Sequence, residues 1–187
     1  MNRTQIQQLQ SRISATPDGF WGPKSIAACQ AHLRSLMPSP NPWPHTDEAS
    51  LRAFYGRPGD EDQLTDLPVV DLGILYEGRP VRTLRCHKRV AASLGRVLTQ
   101  LHLQGYSHII EHFDGSFDNR PMRNGTIPSL HARGAAIDLN SDSNGNLQSW
   151  PASADMPVEV MEIFAMEGWT PAGAFWGRDA MHFQATS

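Results

Sequence analysis

Four prolines among the eight residues Met37-Pro38-Ser39-Pro40-Asn41-Pro42-Trp43-Pro44 set the first limit on what this chain can fold into. Proline has no amide hydrogen to give and its ring clashes with a preceding helical turn, so neither a helix nor an inner strand can run through them. The stretch is predicted to be extended, close to polyproline II, a spacer of about 3 Å per residue. It divides the chain into a small unit at 1–36, a proline-rich linker at 37–44 and a main domain at 45–187.

The first unit reads as helix, tight loop, helix. Thr4 with Gln7 fits a capping box, and Ile6, Leu9 and Ile13 follow at helical spacing. Pro17, Asp18 and Gly19 break the pattern, and Gly22-Pro23 restarts it with proline in a first turn. Ile26, Cys29 and Leu33 make the second stripe. Two short helices bury little surface, so the unit must lean on something larger. In the main domain, Val69 to Val81 reads as strands or a hairpin split by Gly73 and Gly78. Val90, Leu94, Val97, Leu98 and Leu101 give the strongest helical stripe, ending near Gly105. Ser107 to Phe113 is predicted to be a strand, Ala135 to Leu139 a short apolar run, Pro157 to Glu167 a helix capped by Asp155, and Trp176 to Gln184 a final strand. Strands and helices mix without regular βαβ alternation, which predicts an α+β fold with a mainly antiparallel sheet.

Charge and hydropathy exclude several classes. A formal net charge of −3, with no block of like charge, gives no footprint for nucleic acid. No apolar run approaches the roughly 18 residues that span a bilayer, so no membrane insertion is expected. The polar stretch Met1 to Gln10 has no apolar core of a secretory signal, so synthesis in the cytoplasm without an export address is expected. Cys29 and Cys86 read as two buried thiols in a reducing compartment.

The chemistry concentrates in Ser129-Leu130-His131-Ala132-Arg133-Gly134-Ala135-Ala136-Ile137-Asp138 and in Trp176-Gly177-Arg178-Asp179-Ala180-Met181-His182-Phe183. His131, Asp138 and His182 together offer two neutral imidazoles and one carboxylate, a set suited to a catalytic Zn²⁺ that keeps a fourth position open. Asp179 stands close enough in sequence to His182 to reach a water there as a proton acceptor without being a ligand.

Ser129-x-His131-x-x-Gly134-x-Ala136-x-Asp138, followed by Asp179-x-x-His182, resembles the M15 family of metallopeptidases. That family contains the D-alanyl-D-alanine carboxypeptidases and dipeptidases and the L-alanyl-D-glutamate peptidases of phage endolysins. The resemblance extends upstream to Cys86-His87-Lys88, placed at the opening of the long helix, and to Phe117-Asp118-Asn119-Arg120-Pro121-Met122-Arg123. It implies a hedgehog/D,D-peptidase-like fold, with a mainly antiparallel sheet flanked by helices. It also implies one catalytic Zn²⁺ held by His131, Asp138 and His182, with Asp179 as general base. Arg120 resembles the arginine that orients substrate and offsets charge on the oxyanion, with Arg123 the competing candidate. Ser129 and Trp176 are weaker substrate-side candidates.

Leu9-Gln10, Asp18-Gly19-Phe20-Trp21-Gly22-Pro23-Lys24-Ser25 and Ala28 resemble the first half of a three-helix peptidoglycan-binding domain, here truncated. The same residues also suit a loop between two helices for local reasons. The resemblances together imply a monomeric zinc metallopeptidase whose partner is bacterial peptidoglycan. The first expectation is an L-alanyl-D-glutamate endopeptidase acting as a phage endolysin on the wall after release. The alternatives are a D,D-carboxypeptidase cleaving terminal D-alanine, or a non-catalytic, zinc-stabilised wall-binding module. His108 and His112 have helical ligand spacing but no third partner, and read with His32, His45, His87 and His102 as surface or core residues.

Overall fold

A computed structural model describes residues 1–122 and 125–187. The N-terminal unit is α1 (Arg3–Arg12) and α2 (Pro23–Leu36). The capping box forms two residues earlier than the sequence pattern suggests: Asn2 accepts from the Gln5 amide and the Gln5 side chain accepts from the Asn2 amide. Asparagine caps better than threonine, so Thr4 is absorbed into the helix. Pro23 sits in the first turn of α2, as expected. Between the helices, the fully buried Gln10 carboxamide donates to Asp18 Oδ1, the Phe20 carbonyl and Ser25 Oγ and accepts from the Gly19 amide, so one side chain fastens the whole loop.

The main domain begins with α3 (Glu48–Tyr55), capped by Asp47. Next come β1 (Leu64–Pro68), β2 (Leu75–Tyr76), β3 (Arg79–Pro80) and β4 (Thr83–His87), with β1 antiparallel to β4 and β2 to β3. Cys86 and His87 therefore end a strand, and the long helix α4 (Ala91–Leu103) starts after a turn. Ser107 to Phe113 is not one strand: Ser107–Ile110 forms a helical turn, α5, and β5 is Phe113–Gly115. Then follow β6 (Ala136–Leu139), α6 (Ser141–Asn144), α7 (Val158–Met166), β7 (Thr170–Pro171), α8 (Ala172–Trp176) and β8 (His182–Gln184). The expected final strand is thus a helical turn, a loop and three strand residues. Asp155 does not cap α7; its carboxylate accepts from Ser143 and Asn144 instead.

The central sheet has the order β5-β6-β8-β7, antiparallel throughout. Helices alongside mainly antiparallel strands make the fold α+β. Leu94, Val97, Leu98 and Leu101 of α4 are fully buried beside Val160, Met161 and Phe164 of α7. Phe164 stacks on Phe183 of β8 with centroids 3.8 Å apart. Side chains alternate along a strand, so anchoring Phe183 in the core turns its neighbour His182 to the opposite face.

The N-terminal unit lies on α7. Arg12 forks onto Glu162 (2.8 Å from Nε), and His32 Nε2 reaches the same carboxylate at 2.8 Å. Trp21 meets Trp150 edge to face. The proline-rich stretch lies on the main domain rather than standing off from it. Trp43 is buried with its indole N–H on the Glu167 carbonyl, and Asn41 donates to the Gly168 carbonyl.

Candidate active site

His131 is delivered by a tight 3-10 turn over Leu130–Arg133. Ser129 begins that turn, its hydroxyl accepting from the His131 amide at 3.3 Å, so the serine positions the histidine's backbone. Gly134 ends it with φ +63°, where a Cβ would stand 2.7 Å from the His87 amide nitrogen. Only glycine lets the chain pass so close to β4 and enter β6. Asp138 on β6 and His182 on β8 are direct cross-strand partners, so sheet register alone brings them together.

The three side chains converge. His182 Nδ1 lies 2.9 Å and His131 Nε2 3.2 Å from Asp138 Oδ1, and the two nitrogens are 3.2 Å apart. All three residues are buried. The outer ring nitrogens fix the tautomers: His131 Nδ1 faces the Ser116 carbonyl at 3.1 Å, and His182 Nε2 faces Gln184 Oε1 at 3.2 Å. Both outer atoms must donate, because a carbonyl oxygen only accepts. In the neutral rings the inner nitrogens then carry lone pairs aimed at one another and at a carboxylate. Such a trio is satisfied by a cation, and two nitrogens with one oxygen, each ring oriented by an outer hydrogen bond, suit Zn²⁺. The carboxylate and the rings are also coupled in charge. Burial alone would raise the Asp138 pKa, but the two imidazoles hold it well below the carboxylate range. Burial alone would lower that of His182, but Asp138 raises it.

The trio opens into a cavity of about 300 Å³ whose lining includes Arg120, Ser129, Trp176 and Asp179. Asp179 adopts φ 61°, a left-handed conformation that aspartate tolerates better than most residues, and its carbonyl accepts from the His182 amide. Backbone bonds from Trp150 to Gly177 and from Met181 to Asn144 clamp the turn that carries it. The negative charge of Asp179 acts on His182. Arg120 reaches the wall from a loop, with Nε 2.7 Å from Asp118 Oδ2. Trp176 is 48% exposed and stacks on the His182 ring, centroids 5.5 Å apart. Arg123 lies outside the described residues. Sequence reasoning missed Gln184, which orients His182; its only signal is its place two residues along the same strand. It also missed Arg178 and Leu147 at the cavity wall. His87 is a satisfied core histidine between the Tyr55 carbonyl and the Arg89 amide. Among the described residues, His108 and His112 join no metal-type cluster.

An antiparallel sheet and the tight turn leading into it set two imidazoles and a carboxylate at the floor of a cleft, with a second carboxylate and an arginine on its wall, and together they define a candidate metallohydrolase centre. Residues 123–185 match the family model described as D-alanyl-D-alanine carboxypeptidase, which supports kinship with the M15 peptidases. The matched span is roughly a third of the chain and contains His131, Asp138, Asp179 and His182. No curated protein and no solved structure matches the chain.

Proposed function

We propose that this protein is a zinc-dependent peptidase that hydrolyses the stem peptides of bacterial peptidoglycan. The observation that carries the reading is the convergence of His131 Nε2, His182 Nδ1 and Asp138 Oδ1, with Asp179 lining the same cavity. His131, Asp138 and His182 would hold the ion; when bound, Zn²⁺ supplies Lewis acidity that activates water and polarises the scissile carbonyl. Asp179 accepts the proton of the attacking water and returns it to the leaving amine. Arg120 donates N–H groups to the developing oxyanion, a task its fixed charge suits. Trp176 covers one face of His182 and keeps water from it.

For the bond cut, we favour the L-alanyl-D-glutamate endopeptidase. The cavity shares Trp176 with an adjoining groove of larger volume, which leaves room for peptide on the far side of the scissile bond. The likeness of the N-terminal unit to wall-binding domains agrees with a phage-type lysis enzyme. D,D-carboxypeptidase action is the second reading, favoured by the description of the matching family. Mass spectrometry of purified peptidoglycan fragments, incubated with the protein with and without a zinc chelator, tests both. Chelator-sensitive products are expected, with an L-alanine end for the first reading and loss of terminal D-alanine for the second. Intact fragments from several wall types would leave only a wall-binding module.

A further inference from the structure

The candidate catalytic cavity is not closed on the side of the N-terminal unit. Leu130, Trp176 and Gln184 line both it and an adjoining groove of about 770 Å³. One wall of that groove comes from outside the span that matches the family: Arg34 and Met37, at the end of α2 and just beyond it. The other walls include Leu51, Ile127 and Phe175. The N-terminal unit is fixed against this site. Gln30 Nε2 donates to the Ala174 carbonyl at 3.2 Å, which ties α2 to α8, and α8 carries Trp176. Arg34 stands over the Phe175 ring, 5.0 Å from its centroid, on the groove's edge. Among the described residues Arg34 makes no ion pair, whereas the groove's acid Glu48 is held 2.6 Å from the Arg133 guanidinium. The groove thus offers apolar walls and one uncommitted cation.

We propose that this groove is a second substrate subsite, which binds an extended peptide with small aliphatic side chains and a carboxylate, the carboxylate pairing with Arg34. The inference rests on the peptidase reading, because the continuity with the catalytic cavity is what makes the occupant the remainder of the same substrate. A peptide matches the walls better than a sugar chain with its many hydroxyls, because most of the groove's exposed lining is apolar, although Asn41, Thr46 and Ser187 also border it. Arginine over an aromatic face is preorganised for a carboxylate, since the ring restrains the guanidinium without using its N–H donors. The N-terminal unit would therefore select substrate as part of the cleft, whether or not it also binds the wall.

Calorimetry on the full zinc-loaded chain tests this. The probe is a synthetic acidic stem-type pentapeptide, N-methylated at its peptide bonds so that it is not cut. Its carboxylate-amidated form and a chitin oligosaccharide serve as comparisons. Arg34→Glu should weaken binding of the acidic peptide by about tenfold, leave the amidated peptide unchanged, and be largely rescued in Arg34→Lys. Arg34 is exposed, so these variants should melt like the parent. Equal affinity of parent and Arg34→Glu overturns the subsite, as does equal loss for acidic and amidated peptides, no binding by the parent, or binding of the oligosaccharide alone. Turnover of the unmethylated peptide is read separately. Charge-dependent binding without cleavage would sink the peptidase reading and keep the subsite; cleavage with no effect of Arg34→Glu would do the reverse.

Discussion

Gly134 is where a single atom decides whether the site can form. At φ +63° an added Cβ is strained, and it would also press on the His87 amide and on Leu64 Cδ2, each under 3 Å away. Gly134→Ala should cost about 2 kcal/mol or more, seen as a fall of roughly 4–8 °C in thermal midpoint for a chain of this size. Asp179 and the trio separate by a different measurement. Asp179→Ala should lower turnover by about 10²–10⁴ with zinc still present by elemental analysis, as expected for loss of a proton acceptor. His131→Ala or His182→Ala should lose the metal itself; retained zinc in either would remove it from the ligand set. The trio and Asp179 are legible in the sequence because each lies in a short local pattern. The groups that orient them are not: Ser116 acts through its carbonyl, which every residue possesses, and Gln184 through a ring nitrogen whose direction only the strand register fixes.

At the scale of elements, the joint between α1, α2 and α7 is electrostatic as well as apolar. Burial alone would raise the pKa of Glu162, but hydrogen bonds from Arg12 and His32 outweigh it and hold the carboxyl below its ordinary value of 4.5. A depressed carboxyl stabilises the fold above its unfolded pKa and stops doing so as pH falls through its folded one. The contribution of Glu162 to the docking should thus be present at neutral pH and weaken below 4.5, and Glu162→Gln should flatten that acid limb. At neutral pH the same variant should cost about 1–2 kcal/mol, less than a fully buried pair because Arg12 stays partly in water. Acid titrations of stability in the two proteins check both statements, and superimposable acid limbs would refute the first. Other elements were misread for identifiable reasons. Ile109 and Ile110 favour strand by propensity, yet their burial under α4 is met by one helical turn. Trp176 to Gln184 looks continuous, but Gly177 and Asp179 both take left-handed φ and break it. The α4 stripe is plain because Leu94, Val97, Leu98 and Leu101, with Val90 just before the helix, are buried in one core.

Across the whole molecule, the N-terminal unit and the candidate centre belong to one packed body. Leu9, Ile13, Cys29 and Leu33 share a continuous core with Phe164, Trp169 and Phe183. The proline pattern marks a change of local structure correctly but says nothing about whether the stretch stands free. Burial of Trp43 against the Glu167 carbonyl settles that, and one indole leaves no trace in composition. Continuity of the core makes unfolding a single cooperative event, so a metal bound at β6 and β8 should stabilise the N-terminal helices too. Zinc at about a hundred times its dissociation constant adds about 2.7 kcal/mol to the folded state, or roughly 5–10 °C at this chain length. Chelation should therefore lower the midpoint by that amount, and restoring zinc, but not magnesium, should recover it, because two imidazoles do not suit the harder ion. Circular dichroism of the helices and fluorescence of the tryptophans should agree with each other on the midpoint of the zinc-loaded protein, and again on the lower midpoint after chelation. His182→Ala should start low and ignore the chelator. Two separate transitions, with only the later one metal-sensitive, would mean that the N-terminal unit folds independently of the site it walls.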